Sequence, residues 1–179
     1  RLARVAASVE LASEFRLRDP VIGPRDLVIA ISQSGETLDT LMAARLAKEK
    51  GARVLALANV MGSAIPRMAD AELYTRAGPE IGVASTKCFT TQIAALLMLA
   101  VYIGRRRDTL SVERAQELVE GMARLPHLMR EVLTGTRQLV QNIAQRHVDA
   151  RDVLFLGRGL NFPIALEGAL KLKEISYVH

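Results

Sequence analysis

The segment Ser32-Gln33-Ser34-Gly35-Glu36-Thr37 has the side chains of an anion-binding turn: three hydroxyls, one amide and a glycine. It lies between an apolar run of strand length and a helical pattern, and in an open α/β sheet such a turn lies where ligands bind. Backbone N–H groups at the start of the helix would stabilise a phosphate there. The spacing is neither the Walker pattern nor the dinucleotide glycine pattern, which argues against NTP and NAD. Ordinary helix capping is the alternative, although a cap needs only one hydroxyl.

The segment from Pro163 to Tyr177 has helical periodicity with one narrow polar sector. Glu167, Lys171 and Glu174 occupy this sector at spacing i, i+4 and i+7, and apolar residues cover most of the remaining circumference. We therefore expect a largely buried helix. A carboxylate beside an ammonium in such a helix is a candidate general base with its partner. A salt-bridged stripe on the protein surface is the alternative that this spacing leaves open.

The segment Gly78 to Lys87 contains two glycines and a proline, which predict a shaped loop. We expect Ser85 or Thr86 to cap the apolar helix that follows, because Ser and Thr are favoured at that position. Capping alone explains this segment, so its spacing does not by itself indicate a ligand.

The elements around these segments predict an α/β protein with a parallel sheet. The apolar runs Asp26–Ser32 and Arg53–Asn59 have the pattern of strands buried on both faces, and a helix over Thr37–Lys50, closed by Gly51, connects them. A right-handed crossover of this kind makes the two strands parallel. We further predict strands at Val5–Ala12, Glu72–Thr75 and Asp152–Gly157, helices at Ser63–Ala69 and Ser85–Arg105, and helical structure over Ser111–Ala150 with breaks near Pro126 and Gly135. The return of the strand–turn–helix pattern predicts two copies of one α/β unit, the second truncated.

Composition excludes several classes of protein. With 179 residues, 50% of them hydrophobic and 24% charged, the chain is not of the disordered type, and its single cysteine, Cys88, excludes a disulfide scaffold. Cys88 is interpreted as a core residue, because no adjacent histidine or acid would activate it as a nucleophile.

The net charge of +5 does not predict a nucleic-acid partner, because the basic residues are scattered, apart from 105–107, and are not interleaved with stacking aromatics. The longest uncharged apolar run, Ile93 to Ile103, has 11 residues, whereas a membrane span needs about 20. The first residue is not Met, no signal-peptide pattern is present, and the last helical pattern lacks a stop signal. We expect a piece of a longer protein.

Four segments together resemble the glutamine–fructose-6-phosphate aminotransferases: SQSGET at 32–37, EIGVASTK at 80–87, FTTQ at 89–92 and ALEGALKLKEISYVH at 165–179. The resemblance runs from Val9 to the end; SQSGET alone marks only a sugar-isomerase (SIS) domain, and the other segments are more specific. It implies an isomerase half with two three-layer αβα SIS units around parallel sheets. Residues 1–107 would form a first SIS domain without its first strand, 108–150 a helical connector, and 151–179 the start of a truncated second SIS domain.

The resemblance also implies a set of site residues and excludes a cofactor or metal. The phosphate of fructose 6-phosphate would be held by Ser32, Gln33, Ser34 and Thr37. The backbone of Val83 would contact the sugar. Glu174 would be the base that moves a proton between C1 and C2, and Lys171 would assist ring opening or orientation. Cys88 departs from the family pattern, which commonly has alanine at this position.

The implied activity is formation of glucosamine 6-phosphate from fructose 6-phosphate and glutamine-derived ammonia, the first step of amino-sugar biosynthesis, by a cytoplasmic homodimer. Because parts of the implied site are missing, we expect the chain alone to be inactive. One alternative is an SIS deaminase or deglycase of amino-sugar phosphates, which would lack a glutaminase domain. Another is an SIS transcriptional regulator that senses a sugar phosphate, which would carry a helix-turn-helix domain.

Overall fold

A computed structural model describes residues 2–179 of the chain. In chain order its elements are α1 (Ala12–Leu17), β1 (Leu27–Ser32), α2 (Leu38–Glu49), β2 (Arg53–Ala58), α3 (Ala64–Met68), β3 (Ala71–Tyr74), α4 (Lys87–Arg106), α5 (Val112–Arg146) and α6 (Asn161–Ser176). They form two compact units. The first runs up to Glu80 and includes Thr86–Ala115, and the second combines Ile81–Ser85 with Gln116–His179.

The first unit contains a three-stranded parallel sheet in the order β1-β2-β3, which confirms the predicted parallel α/β architecture. The register aligns Ser32 with Ala58 and Ala58 with Tyr74, so the strands end at one edge. The residues that follow each strand therefore lie side by side along this carboxyl edge.

The two predicted strands differ in their burial. In β2 every residue from Val54 to Ala58 is buried, as its apolar run predicts. In β1, which lies at the edge of the described sheet, Leu27 and Ile31 are 52% and 42% exposed. The prediction of burial on both faces is therefore correct for β2 and wrong for β1. Leu27 and Ile31 lie on one face of β1, which stays partly open, whereas Ala30 and Ser32 on the other face are buried.

Helix α2 packs against β1 and β2 and ends as the sequence predicts. Gly51 has φ +87°, in the left-handed region that glycine adopts without strain. The Gly51 N–H donates to Lys48 O and the Ala52 N–H to Ala47 O, which satisfies the last turn of the helix. Small residues such as Ala44 and Ala47 then allow the helix to lie close to the sheet, in the core with Val54, Ala56 and Ile65.

Asp70 joins the beginnings of β2 and β3. Its carboxylate accepts the Val54 N–H at 2.8 Å, with Lys48 Nζ at 3.3 Å and Arg53 Nη1 at 3.7 Å. The hydrogen bond from Val54, followed by the lysine and arginine contacts, lowers the pKa of Asp70. A carboxyl whose pKa is lowered by folding contributes stability that is present above its unfolded pKa, about 3.9, and is lost as pH falls through the folded value.

We expect the free energy of unfolding to depend less on pH in the acid range in Asp70→Asn than in the wild type. Asparagine keeps an oxygen that can accept the Val54 N–H, but it does not titrate. Urea unfolding between about pH 5 and 2 should show a steeper loss of stability in the wild type than in the variant. Equal slopes for the two proteins would contradict the role of the Asp70 charge.

The predicted strand at Val5–Ala12 is wrong. Among these residues, all of them described, no strand forms, and α1 begins at Ala12. The Glu14 and Phe15 N–H groups donate to Leu11 O and start the helix. Val9 is 98% exposed, so its β-branched side chain has no sheet to pack against.

The predicted strand at Asp152–Gly157 is also wrong, since these described residues pair with no other strand. The segment is nevertheless extended: Val153 and Phe155 are 38% and 40% exposed, whereas Leu154 and Leu156 are 89% and 88% exposed. The strand was predicted from the apolar run Val153–Leu156 in the sequence. A strand also needs a hydrogen-bonded neighbour, and the Val153 N–H donates instead to the carbonyl of His179.

The predicted breaks in the connector are wrong, because α5 continues from Val112 to Arg146 through Pro126 and Gly135. Proline costs about 3 kcal/mol and glycine about 1 kcal/mol within a helix. The intact backbone bonds on either side of each residue carry the helix across them.

Helix α4 confirms the predicted apolar helix. By length and composition alone, α4 could cross a bilayer, and among the described residues it is the one helix that meets this test. Core helices of globular proteins pass the same test, and Cys88, Ala95, Val101 and Gly104 of α4 are buried within the protein.

Candidate functional site

The hydroxyls of the turn 32–37 hold its backbone in a closed shape at the carboxyl edge of the sheet. Ser32 is buried, and its Oγ accepts the Gly35 N–H at 3.0 Å and lies 3.0 Å from Thr37 Oγ1. Ser34 Oγ accepts the Glu36 N–H at 3.1 Å. Thr37 occupies the N-cap position of α2 but makes no side-chain cap bond, so its hydroxyl pairs with Ser32 instead. The hydroxyls of Ser32 and Thr37 therefore meet at the start of α2, where backbone N–H groups of a helix can bind an anion.

The turn is fastened to α3 by Gly35 and Glu36. The Gly35 carbonyl accepts the Ile65 N–H at 2.9 Å, and Glu36 Oε1 accepts the Ala64 N–H at 2.8 Å. Gly35 has φ +68°, and a Cβ there would lie 1.9 Å from Ser63 Oγ. Only glycine allows this approach, so the turn and the start of α3 fit together as one body.

Asn59, directly after β2, connects the turns that follow the other two strands. Its backbone N–H donates to Gln33 O at 3.0 Å. Its side-chain Oδ1 accepts Thr75 Oγ1 at 3.0 Å and the Ala77 N–H at 2.8 Å, and its Nδ2 donates to Gly78 O at 2.7 Å. One amide therefore fixes the segment 75–78 beside the hydroxyl turn.

An open depression of about 550 Å³ lies along this edge of the sheet. Its lining includes the amides of Gln33 and Asn59, the charged Arg76 and Glu80, and the apolar side chains of Val60 and Met61. The depression is continuous with the hydroxyl turn through Gln33. The edge thus offers polar groups and one guanidinium beside the predicted phosphate turn.

Glu80 caps α4 from outside the helix. Its Oε1 accepts Thr86 Oγ1 at 3.1 Å and its Oε2 accepts the Cys88 N–H at 3.2 Å. The hydrogen bonds from Cys88 and then Thr86 lower the pKa of the Glu80 carboxyl. The prediction that Ser85 or Thr86 supplies the cap is therefore wrong, because Thr86 stands at the N-cap position and donates its hydroxyl to the real capping group.

Cys88 is fully buried, and its backbone N–H donates to Glu80. Burial, followed by the interaction with Glu80, raises the pKa of the thiol. A neutral buried thiol is a poor nucleophile, which supports the interpretation of Cys88 as a core residue.

Val83 belongs to the second unit and is fully exposed, so its backbone is accessible to a ligand. The neighbouring Ala84 is 6% exposed, which anchors the loop next to it.

Helix α6 brings its three predicted polar residues together. Lys171 Nζ lies 2.6 Å from Glu174 Oε2 and 3.5 Å from Glu167 Oε1, so one ammonium contacts two carboxylates. Burial alone would lower the pKa of Lys171, but the hydrogen bond to Glu174 and the charge of Glu167 reverse this and raise it. The ammonium therefore stays charged beside the two carboxylates.

The prediction that α6 is buried is wrong, because none of the described residues of this helix is buried. Leu166, Leu170 and Ile175 are 56%, 46% and 69% exposed. The polar residues are better covered than this apolar face: the side chains of Lys171 and Glu167 are 22% and 24% exposed. The second unit places no element over the apolar face.

Asn59, Arg76 and Glu80 were not singled out from the sequence. Asn59 is the last residue of one predicted strand and Arg76 follows another, which places both at the carboxyl edge and is a usable signal. Glu80 lies within the segment EIGVASTK at 80–87. Its carboxylate caps α4 by accepting the N–H of Cys88, eight positions later, and no sequence pattern marks a cap at that distance.

Comparisons with known proteins agree with this architecture. A family model described as "SIS domain" matches residues 1–102. The glutamine–fructose-6-phosphate aminotransferase [isomerizing] of Thermus thermophilus is 54% identical over 178 residues, which cover 99% of this chain and 29% of that protein. The protein of the same name from Corynebacterium glutamicum is 49% identical over 176 residues, covering 98% of this chain and 28% of that protein.

Among solved structures, the C-terminal domain of the glucosamine-fructose-6-phosphate aminotransferase of Francisella tularensis is similar along the whole chain. The TM-score is 0.96 at 42% identity, covering 100% of this chain and 51% of that one. The chain therefore spans less than a third of the curated relatives it matches and about half of the solved domain.

Proposed function

Because this chain belongs to the SIS-domain family, we propose that it forms part of the isomerase half of a glutamine–fructose-6-phosphate aminotransferase. The reaction makes glucosamine 6-phosphate from fructose 6-phosphate and glutamine-derived ammonia, and it begins amino-sugar biosynthesis. The observation that carries the proposal is the closed hydroxyl turn, with Ser32 Oγ 3.0 Å from Thr37 Oγ1 at the start of α2. We place the full-length protein in the cytoplasm as a homodimer without a nucleic-acid or membrane partner.

The hydroxyl turn binds the phosphate of the sugar. Ser32, Ser34 and Thr37 supply hydroxyls and Gln33 an amide, and the dipole of α2 favours the phosphate dianion. The internal bonds of the turn keep the donors in place before the ligand arrives, which lowers the entropy cost of binding. The exposed backbone at Val83 contacts the sugar.

Glu174 moves the proton. Once ammonia has formed a protonated imine at C2, a carboxylate takes a proton from C1. The C1–H electron pair forms a C1=C2 double bond, and the π pair of the C=N bond moves to the nitrogen, which becomes a neutral amine. Return of the proton to C2 and loss of the C1 hydroxyl proton give the aldehyde. Lys171, in contact with Glu174, orients the carboxylate for the first step.

We also propose the domain organisation 1–107 for a first SIS domain, 108–150 for a helical connector and 151–179 for the start of a second SIS domain. The family match over 1–102 supports the first boundary. The continuous helix α5 supports the connector.

Removal of a hydroxyl from the turn should weaken binding of fructose 6-phosphate to the full-length gene product. Ser34→Ala or Thr37→Val should each cost roughly 1.5–3 kcal/mol, the value of a hydrogen bond to a charged group. Isothermal titration calorimetry with fructose 6-phosphate measures this directly. Thr37→Ser keeps the hydroxyl and should retain affinity.

Thr134→Val is the matched control, because it removes an exposed threonine hydroxyl on α5 that donates only to the helix backbone. It should leave affinity unchanged. If Ser34→Ala and Thr37→Val bind as tightly as the control, the turn does not hold the phosphate and the proposed function loses its main support.

A further inference from the structure

We propose that Glu80 is a positioning residue that braces the sugar-phosphate site by tying the start of α4 to the carboxyl edge of the sheet, where the hydroxyl turn lies. The inference rests on the proposed function, since the ligand is the same sugar phosphate. Glu80 itself does not contact the reacting atoms in this proposal; it acts through the hydrogen bonds that it accepts from the Thr86 hydroxyl and the Cys88 N–H.

Glu80 closes the loop 81–85 at its base. Its carboxylate accepts one hydrogen bond from the Thr86 hydroxyl and one from the Cys88 N–H, so the residues that flank this five-residue segment are joined directly. Thr86 offers α4 no side-chain cap of its own, which leaves the Glu80 carboxylate as the group that satisfies the helix start. A negative charge at this position also interacts favourably with the helix dipole.

The hydroxyl turn is joined to the same segment through Asn59. The Asn59 backbone N–H donates to Gln33 O at 3.0 Å, and the Asn59 side chain holds the Ala77 N–H and the Gly78 carbonyl just before Glu80. Gln33 belongs to the predicted phosphate turn, and Gln33 and Glu80 both line the depression at the edge of the sheet. The position of Glu80 is thereby coupled to the edge at which the hydroxyl turn lies.

Glu80 is itself held from the preceding segment. Asn59 fixes the Ala77 N–H and the Gly78 carbonyl at 2.8 Å and 2.7 Å, which leaves only Pro79 between the fixed backbone and Glu80. Proline restricts this link further. Glu80 is thus a short, stiff connection between the end of the sheet and the start of α4.

Loss of the Glu80 carboxylate should weaken binding of the sugar phosphate more than it slows the chemical steps. Without the carboxylate, the start of α4 and the residues of the depression next to it gain conformational freedom that a sugar phosphate must remove on binding. Glu174 lies on a different helix, so its proton transfer has no direct dependence on Glu80. We expect Glu80→Ala to raise the KM for fructose 6-phosphate roughly tenfold or more, with kcat changed by less than about twofold.

The test uses the full-length gene product with four variants. Glu80→Gln keeps an oxygen that can accept the Cys88 N–H and should recover most of the affinity lost in Glu80→Ala. Thr86→Val removes one of the two bonds and should fall between the wild type and Glu80→Ala. Cys88→Ala keeps the backbone N–H that Glu80 accepts, so the cap survives and KM should rise only slightly.

A second measurement needs no ligand: amide hydrogen exchange over residues 81–90. The Cys88 amide and its neighbours should exchange faster in Glu80→Ala than in the wild type, Glu80→Gln or Cys88→Ala. A Glu80→Ala protein with wild-type exchange and wild-type KM overturns the proposal. A fall in kcat at constant KM also overturns it, because Glu80 would then act in the chemistry.

The two measurements separate this proposal from the proposed function. If the wild type binds no fructose 6-phosphate, the proposed function fails, and with it the ligand-positioning role of Glu80, whatever the exchange shows. If the wild type binds the sugar phosphate and Ser34→Ala weakens it while Glu80→Ala does not, the function stands and the brace is refuted. If Glu80→Ala does not fold, Thr86→Val and Glu80→Gln decide: wild-type KM and exchange in Thr86→Val overturn the proposal.

Discussion

Glu174→Gln should lower the turnover of the full-length gene product by about 10²–10⁴-fold and leave its affinity for fructose 6-phosphate nearly unchanged. Glutamine keeps the size of the side chain and can still accept a hydrogen bond from Lys171, which lies 2.6 Å from Glu174 Oε2. It cannot take a proton from carbon. The measurements are kcat for glucosamine 6-phosphate formation and the dissociation constant of fructose 6-phosphate.

Glu167→Gln is the matched control for this prediction. Glu167 has the same functional group on the same helix and contacts the same ammonium at 3.5 Å. Its effect on the reaction passes only through Lys171, so its loss should reduce kcat far less than loss of Glu174. Equal reductions in the two variants would mean that both glutamates only maintain the charge of Lys171.

Gly35→Ala should destabilise the protein and abolish tight binding of the sugar phosphate. A Cβ at this position would lie 1.9 Å from Ser63 Oγ and 2.8 Å from Ser63 Cβ, and Ser63 is buried with its hydroxyl donating to Val60 O. Overpacking of this kind typically costs 1–3 kcal/mol, and a left-handed backbone adds about 1–2 kcal/mol for alanine. The measurements are urea unfolding and calorimetric titration with fructose 6-phosphate.

Gly62→Ala separates these two costs. Gly62 has φ +69°, nearly the same as the +68° of Gly35, but a Cβ there would have no heavy atom within 4 Å. Gly62→Ala should therefore show only the backbone cost and should bind the ligand like the wild type. Equal destabilisation by the two substitutions would show that the contact between Gly35 and Ser63 does not shape the turn.

The elements that could be predicted from the sequence are those specified by local signals. The apolar run of β2, the helical period of α2 and the Gly51 terminus are each encoded by consecutive residues, and all three are present. The contact between Lys171 and Glu174 follows from helical spacing alone, and it is present at 2.6 Å. The hydroxyl turn is similarly local, because the bonds between its own residues join positions at most five apart.

The features that could not be predicted depend on contacts between distant segments. Asn59 bonds to residues 16 to 19 positions away, and Glu36 bonds to Ala64 across 28 positions. No spacing rule identifies such partners. The extended segment 152–157 is the opposite case. The exposure of its side chains alternates as in a strand, but no described strand lies beside it, so it is not part of a sheet.

Exchange of the C1 hydrogens of fructose 6-phosphate in deuterated water tests most directly whether Glu174 moves the proton. The full-length gene product is incubated with fructose 6-phosphate and glutamine, and the C1 signals are followed by NMR. We predict that the wild type exchanges one C1 hydrogen during turnover, and that Glu174→Gln does so about 10²–10⁴-fold more slowly while still binding the sugar phosphate. Exchange at the wild-type rate by Glu174→Gln would contradict this assignment and make Glu174 only a structural partner of Lys171.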